Sequence, residues 1–348
     1  MERDMDSSSV DERLVDAVIS LFGDHKPGTR PVHTLGIGVD GYFEPSDIAR
    51  NYCKAEHFQG RRIDTLVRFS NGLGSPVRHD GWSDVRGMAT RFYLTDKQVT
   101  GEDVRATDLI AMTLPEFYTP TVDDFFKFAK AARPQPARKE RAWRKLIDML
   151  KLKAPIRDPE PGRKETQEPG ALDYANHNRF AQLAVLVTGT IGAPESYARA
   201  AYHAVHTFIV TAPDGVRRPV RFYWQPVAGV RTTKTDAVPD DDYLCEELRK
   251  RLKLWPARFM LMMKIGEAGD ALDDPTRPWP PKRVRVAMGT LTLTAIAEKQ
   301  DLYNELIAFN PCRLLPGVEV SDDPVLRARQ GAYEASRKRR GGLSCPFS

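Results

Sequence analysis

Arg329, Tyr333 and Arg340 fall within RQGAYEASRKRR, near the C-terminal end of the sequence. The tyrosine is four residues after one arginine and seven before the other. On an α-helix those offsets put all three side chains on one stripe. A tyrosine titrates near ~10, so a phenolate at neutral pH requires neighbouring positive charge or a metal. Tyrosinate is an axial ligand that haem iron accepts, and the second arginine would then suit a propionate. The same spacing also fits a solvated basic helix end whose cations complement the helix dipole. Spacing alone does not choose between the two.

A second group lies far away in the chain. His33 stands in RPVHTLG with Arg30 three residues before it, and Arg68 and Ser70 stand in LVRFSN. Residues two apart on a strand share a face, so Arg68 and Ser70 point the same way. A cation and a hydroxyl on an otherwise apolar strand call for an anion and a hydrogen-bond partner. An edge strand facing water is the competing reading. His203 and His206 are three residues apart, but no third ligand has a spacing that would make a metal site. The glycines of GIGVDG (36–41) match a dinucleotide fingerprint only formally. No apolar strand precedes them, and Pro45 falls where a helix should run. HExxH, GxSxG, P-loop and zinc-finger spacings are absent from the sequence.

These side chains need elements to hold them. Val15–Phe22 reads as a short amphipathic helix stopped by Gly23 and Pro27. Residues 1–13 read as a disordered tail before a single domain over 14–348. Thr65–Ser70, Met88–Leu94 and Leu109–Thr113 read as strands. Thr121 is placed to cap a helix through Ala132. Residues 133–170 are rich in proline and charge around one amphipathic stretch, Trp143–Leu150, and read as an exposed insertion. Residues 180–204 read as helix. A hairpin follows: His206–Thr211, a turn at Pro213–Gly215, and a return over Val220–Trp224, with full pairing expected only after Pro219. Cys245–Leu254 reads as helix, Arg258–Ile265 and Val284–Ala295 as strands, and 325–340 as helix again. Strands in series without βαβ alternation predict an antiparallel sheet in an α+β fold.

Composition narrows the function classes. The chain has 348 residues, 41% of them hydrophobic, and a net charge of only +5. Basic residues concentrate in 133–164 and 337–340, so the charge is local and no general nucleic-acid binding is implied. Four cysteines without a CxxC pair argue against a zinc ribbon or a disulfide framework. The first residues are acidic and polar, unlike a signal peptide, and the longest apolar run, Phe259–Met263, is far too short to span a bilayer. The expectation is a cytoplasmic protein with no membrane span.

RPVHTLG, DGYFEPSDI, LVRFSNGLGSP, DVRGMATRFY, HTF (206–208), LLPGVE and the Arg329/Tyr333/Arg340 group occur in this order. In that order they resemble the haem catalases, over about residues 28–341. The chain is most similar to the small catalase-related peroxidases. The resemblance implies an antiparallel eight-stranded β-barrel core with flanking helices, and a haem, b-type and ferric. It implies Tyr333 as iron ligand, with Arg329 donating to its oxygen and His206 behind that arginine. His33 would be the distal acid/base group, oriented by Ser70. Arg30, Arg68 and Arg340 would pair with propionates, and Val32 would pack over the haem.

Three departures stand out. No asparagine occurs in 105–110, so Ala106 or Thr107 takes the place of the family's distal asparagine, and Thr107 is the candidate with a hydroxyl to offer. The family's phenylalanine-rich segment is Ile110–Met112 here. The aspartate usual two residues after the ligand tyrosine is Ala335. The implied activity is reduction of hydrogen peroxide or organic hydroperoxides by a small organic reductant, with weak catalase activity. A homodimer is left open. A fatty-acid hydroperoxide isomerase related to allene oxide synthase, a non-catalytic haem-binding module and a nucleic-acid binder remain as alternatives.

Overall fold

Inward-facing aromatics on successive strands are what close the sheet on itself. The structure is a computed structural model. It describes residues 9–341 apart from 22–24, 73–79, 82, 96–104, 134, 137–142, 144–145, 148–149, 152–164, 167, 234–241 and 301–306. The strands are β1 (Gly36–Pro45), β2 (Ile63–Asn71), β3 (Arg86–Tyr93), β4 (Ala106–Met112), β5 (Gln135–Pro136) and β6 (Glu165–Thr166). They continue with β7 (Tyr202–His203), β8 (Phe208–Thr211), β9 (Arg217–Pro226), β10 (Ala257–Ile265), β11 (Arg285–Ile296) and β12 (Val318–Val320). Antiparallel pairing runs β10-β11-β1-β2-β3-β4-β7-β9, and β9 pairs back to β10. Eight strands therefore form a closed antiparallel barrel, as the resemblance implied. β8 and β12 extend from the free flank of β9.

The barrel interior is filled by rings. Phe43 lies edge-on to Phe92 at 5.3 Å and to Trp224 at 6.2 Å, and Phe69 stacks on Tyr197 at 5.3 Å. All five are at most 2% exposed. Each such burial contributes about 1.5–3 kcal/mol before entropy is counted.

The strand and helix positions read from the sequence hold to within a few residues, with four corrections. The GIGVDG segment is the start of β1, a strand the sequence reading passed over. The helix expected over 180–204 covers only Arg179–Thr190, because the chain leaves it at Gly192–Pro194 and then enters β7. Hairpin pairing begins at the turn, with Ile209 opposite Pro219 and Thr211 opposite Arg217. The Pro219 carbonyl accepts from Gly266 N (2.8 Å) on the side away from β8, so the missing N–H costs the hairpin nothing. The first helix spans Val10–Ile19, capped by Ser9, so residues 10–13 belong to it and not to a tail.

Two polar networks position the strand ends. Asn71 donates to Asp80 Oδ1 (2.6 Å), and Tyr197 donates to Asn71 (2.9 Å). Arg86 donates to the Asp80 carbonyl (2.6 Å), which ties the end of β2 to the start of β3. On the outer face, Arg91 holds Asp108 through two bonds of 2.8 and 2.9 Å and also donates to the Ala308 carbonyl (2.6 Å). That network binds the segment 307–315 across the outside of β3 and β4. The C-terminal helix, Pro324–Arg339, packs on the first helix, where a side chain at Gly331 would collide with Asp11. Arg339 reinforces the contact with Asp16 (2.5 Å).

Candidate active site

Register decides which side chains can meet. Ser70 pairs with Gly87 and Gly87 with Met112, while Arg68 pairs with Ala89 and Ala89 with Ile110. Cross-strand partners share a face, so Arg68, Ser70, Gly87, Ala89, Ile110 and Met112 lie on the outer face of the barrel. Val67, Phe69, Met88 and Ala111 alternate with them and belong to the core.

His33 stands over this face. Its backbone is left-handed (φ 56°), the one non-glycine residue so placed among those described. That conformation costs of the order of ~1–3 kcal/mol and persists only where the surroundings impose it. Two bonds impose it here. His33 N donates to the Gly72 carbonyl (3.1 Å), and Nδ1 lies 3.0 Å from Ser70 Oγ. Gly87 makes room for the ring, since a Cβ there would sit 2.7 Å from Nδ1 and 2.8 Å from Ser70 Oγ. The ring is half-buried, deep in the protein yet reachable from one side. Burial, then the guanidinium groups of Arg68, Arg329 and Arg30, push its pKa down to about 3. The imidazole is therefore neutral at ordinary pH and is available as a base. Arg68 donates to the Thr34 carbonyl (3.1 Å) and Arg30 to the Ile307 carbonyl (2.5 Å). Val32, next to His33, is half-buried.

The opposite wall is the C-terminal helix. Gly331 faces the first helix, and Tyr333 and Arg329, two residues on either side, point about half a turn away. Arg329 donates to the Tyr333 phenol oxygen (2.7 Å). His206 lies behind it, 2% exposed, with Nδ1 donating to Asp323 Oδ2 (2.6 Å). Burial lowers the His206 pKa, and the nearby charge of Arg329 acts in the same direction. Its Nε2 has no hydrogen-bond partner among the described residues. The other carboxylate oxygen of Asp323 caps the helix, accepting from Val325 N (2.9 Å) and Leu326 N (3.1 Å). Arg340 ends the same helix, where Nε donates to the Ser336 carbonyl (3.2 Å).

The structure thus brings together His33, Ser70, Arg68 and Arg30 on one side and Tyr333, Arg329 and His206 on the other. Arg329 acts electrostatically on both His33 and His206. Thr107 does not join them. It pairs with Phe92, five residues from Met112, and so faces the barrel interior. Its hydroxyl is committed to the Arg313 carbonyl (2.8 Å). Ala106 is on the outer face, but it pairs with Tyr93 at the end of β4 away from Met112 and Gly87 and packs against the cluster of Leu66, Ile307 and Phe309, so it does not join the site either. The sequence reading missed two participants. Gly87 was visible within DVRGMATRFY, but no spacing rule marks a glycine as a cradle. Asp323 was signalled by the Asp-Pro pair that starts a helix.

These residues fit a haem. The phenol oxygen is met by a guanidinium donor, Arg329, at 2.7 Å. Besides Arg329, the guanidinium groups of Arg68 and Arg30 act on His33, and two such cations suit a dianionic group. Gly87 and Ala89 leave the facing barrel wall without bulk where a planar group would lie.

Comparison with known proteins agrees with this geometry. The family model described as Catalase matches residues 10–345. The chain is 31% identical over 334 residues to the "Catalase-related peroxidase" of Mycolicibacterium paratuberculosis, covering 95% of both chains. It is 29% identical to the protein of the same name from Synechococcus elongatus, covering 94% of this chain and 88% of that one. Among solved structures it superposes on a fungal catalase with TM-score 0.74 at 23% identity, over 92% of this chain and 62% of that one. A bacterial catalase gives TM-score 0.73, covering 59% of its length. The chain spans about 60% of the length of these two solved catalases, and it belongs to the catalase family.

Proposed function

We propose that this chain is a haem-dependent peroxidase that reduces hydrogen peroxide or organic hydroperoxides at the expense of a small organic reductant. The observation that carries the reading is His33: a strained, neutral imidazole fixed by Ser70 and cradled by Gly87, opposite a phenol that accepts a bond from Arg329. Mere binding of a cofactor needs no such base.

Tyr333 would hold the iron of a bound haem, Arg30, Arg68 and Arg340 would meet its propionates, and Val32 would pack against it. A bound haem would supply redox chemistry: an electrophilic iron and the capacity to hold two oxidising equivalents. The remaining work belongs to the side chains. With Nδ1–H donated to Ser70 Oγ, the lone pair is on His33 Nε2. That nitrogen takes the proton from the peroxide and returns it to the departing oxygen, which leaves as water or alcohol instead of an anion. Arg329, donating to the phenol oxygen, stabilises negative charge on Tyr333, and His206 Nε2 lies available behind it. Neither Ala106 nor Thr107 brings an amide to the pocket to orient a second peroxide. Loss of one preorganised donor typically costs about 10²–10³ in rate, so oxygen-evolving catalase turnover is weak and an added reductant completes the cycle.

The test compares oxygen release from hydrogen peroxide alone with oxidation of a phenolic dye by the haem-loaded protein. Dye oxidation should dominate and should fall by at least ~10² in His33→Ala. Oxygen release at the rate of a full-length catalase would refute the peroxidase assignment. Rearrangement of a fatty-acid hydroperoxide with no reductant present would replace it with an isomerase. A cytoplasmic location is consistent with the absence, among the described residues, of a helix able to cross a membrane.

A further inference from the structure

We infer that one end of the barrel, where the chain leaves β9 and enters β10, is a docking surface for an anionic lipid bilayer. The two segments are held side by side. Pro226 pairs with Phe259, and one step further Val227 N donates to the Arg258 carbonyl (2.9 Å). Strand alternation sends Ala257 and Phe259 into the core and leaves Arg258 outside, beside Val227. Gly229 N donates back to the Pro226 carbonyl (3.0 Å), so the chain turns sharply before Val230 and Arg231. On the other segment, the helix Tyr243–Leu254 stops at Trp255, whose backbone is extended ahead of Pro256. Both turns carry apolar side chains into solvent: Val227 is 58% exposed, Val230 60%, Leu254 72% and Trp255 75%. Exposed apolar residues scattered singly need no explanation, but a group of them at one end of a molecule marks a contact surface.

Charge identifies the occupant. Leu248–Lys264 holds six lysines and arginines and no aspartate or glutamate. Arg249 and Arg251 answer to Glu246 and Glu247 on the same helix, at 4.0 and 2.6 Å. Lys250, Lys253, Arg258 and Arg231 are exposed around the apolar group, and the acid bonded to the turn is Glu195, whose N–H donates to the Arg231 carbonyl (3.0 Å). Tryptophan and leucine ringed by lysine and arginine match the headgroup region of an anionic membrane, where the indole favours the interface and the cations meet lipid phosphate. Three other occupants fit less well. A second copy of the chain docking through the same face would bring these cations against their own kind. A protein partner needs pockets matched to the anchors, whereas lipid accepts protruding side chains without prior complementarity. One exposed aromatic is no stacking platform for nucleic acid. This docking does not depend on the peroxidase reading.

The experiment is co-sedimentation of the full chain with phosphatidylglycerol vesicles and, separately, with phosphatidylcholine vesicles, at low and high salt. Binding should be at least about tenfold stronger to phosphatidylglycerol and should weaken as salt rises. Leu254→Glu with Trp255→Glu should abolish it, and so should Lys250→Glu with Lys253→Glu, both with unchanged thermal midpoints. Phosphatidylglycerol brominated in its acyl chains should quench the tryptophan fluorescence of the bound protein. Trp255→Phe should still bind and should lose most of that quenching. Failure to bind, equal binding to both lipids, binding unchanged by the glutamate substitutions, or quenching unchanged in Trp255→Phe would overturn the inference. So would a concentration-dependent dimer without lipid that the Leu254/Trp255 substitutions dissolve, which would assign the face to a second copy. Binding to a polyglutamate peptide as tight as to the vesicles, and lost with the same substitutions, would assign it to an acidic protein instead.

Discussion

Asp323 divides one carboxylate between two tasks, and the tasks can be separated by substitution. Oδ1 caps the helix that carries Tyr333 and Oδ2 accepts from His206 Nδ1. Asp323→Ala removes both. Loss of the cap costs about 0.5–2 kcal/mol. Loss of a buried bond to a charged acceptor, leaving the His206 N–H unpaired, costs about 1.5–3 kcal/mol. The sum is about 2–5 kcal/mol. Asp323→Asn keeps an oxygen for the cap but turns an NH₂ toward His206, whose ring must then switch tautomer and present Nε2–H toward the already cationic Arg329. The asparagine variant should lose about 1.5–3 kcal/mol and should alter the haem absorption spectrum as strongly as the alanine variant does. Urea unfolding of the haem-free proteins measures the first quantity, and spectra after haem loading measure the second. A double-mutant cycle with His206→Ala should return a coupling of at least ~1 kcal/mol. Equal destabilisation by alanine and asparagine, together with additivity in the cycle, would refute the division of labour.

Three further outcomes follow from the same geometry. Gly87→Ala places a Cβ 2.7 Å from His33 Nδ1. Displacing the ring should lower kcat/KM by ~10²-fold while haem content stays unchanged. Arg329→Ala removes the donor to the Tyr333 oxygen and should reduce haem affinity or turnover by about 10–100-fold, read by haem titration and dye oxidation. Burial lowers the pKa values of His57 to about 3, His203 to about 4 and His206 below its ordinary value. The unfolded chain therefore takes up these protons first, near pH ~6.5. The stability they confer is present above that pH and is lost as pH falls toward 3–4. Each fully buried histidine adds up to about 1.4 kcal/mol per pH unit to the slope. Urea midpoints of the haem-free protein should fall between pH 7 and 5, less steeply in His57→Phe, and pH-independent midpoints would contradict this.

Much of the barrel could be read from alternation, because β2, β3, β10 and β11 each place a long apolar set on one face, and a two-residue period survives local noise. β1 escaped because its glycines carry no side chain to show the period. The helix over 180–204 was overextended because alanine does not signal where packing stops. Within the site, types and spacing on a single element were readable: Arg329 with Tyr333, and Arg68 with Ser70. What depends on register between elements was not. Ala106 and Thr107 are adjacent in sequence, and only the pairing with β3 shows that the threonine faces the core. His206 and Asp323 are 117 residues apart, and nothing local marks them as partners.

The alternation of the outer and inner faces along β2, β3 and β4 bears on how such a protein can change over time. Each second residue answers to the pocket and each residue between answers to the core, so the two can be altered almost independently. Within the Ile110–Met112 segment, Ile110 and Met112 fall on the outer side with Gly87 and Ala89, while Leu109 and Ala111 belong to the core. Chemistry can drift along one side of a strand while the other side continues to secure the fold, and a barrel wall used on both faces is therefore a scaffold on which new substrate ranges can be tried at little risk to folding.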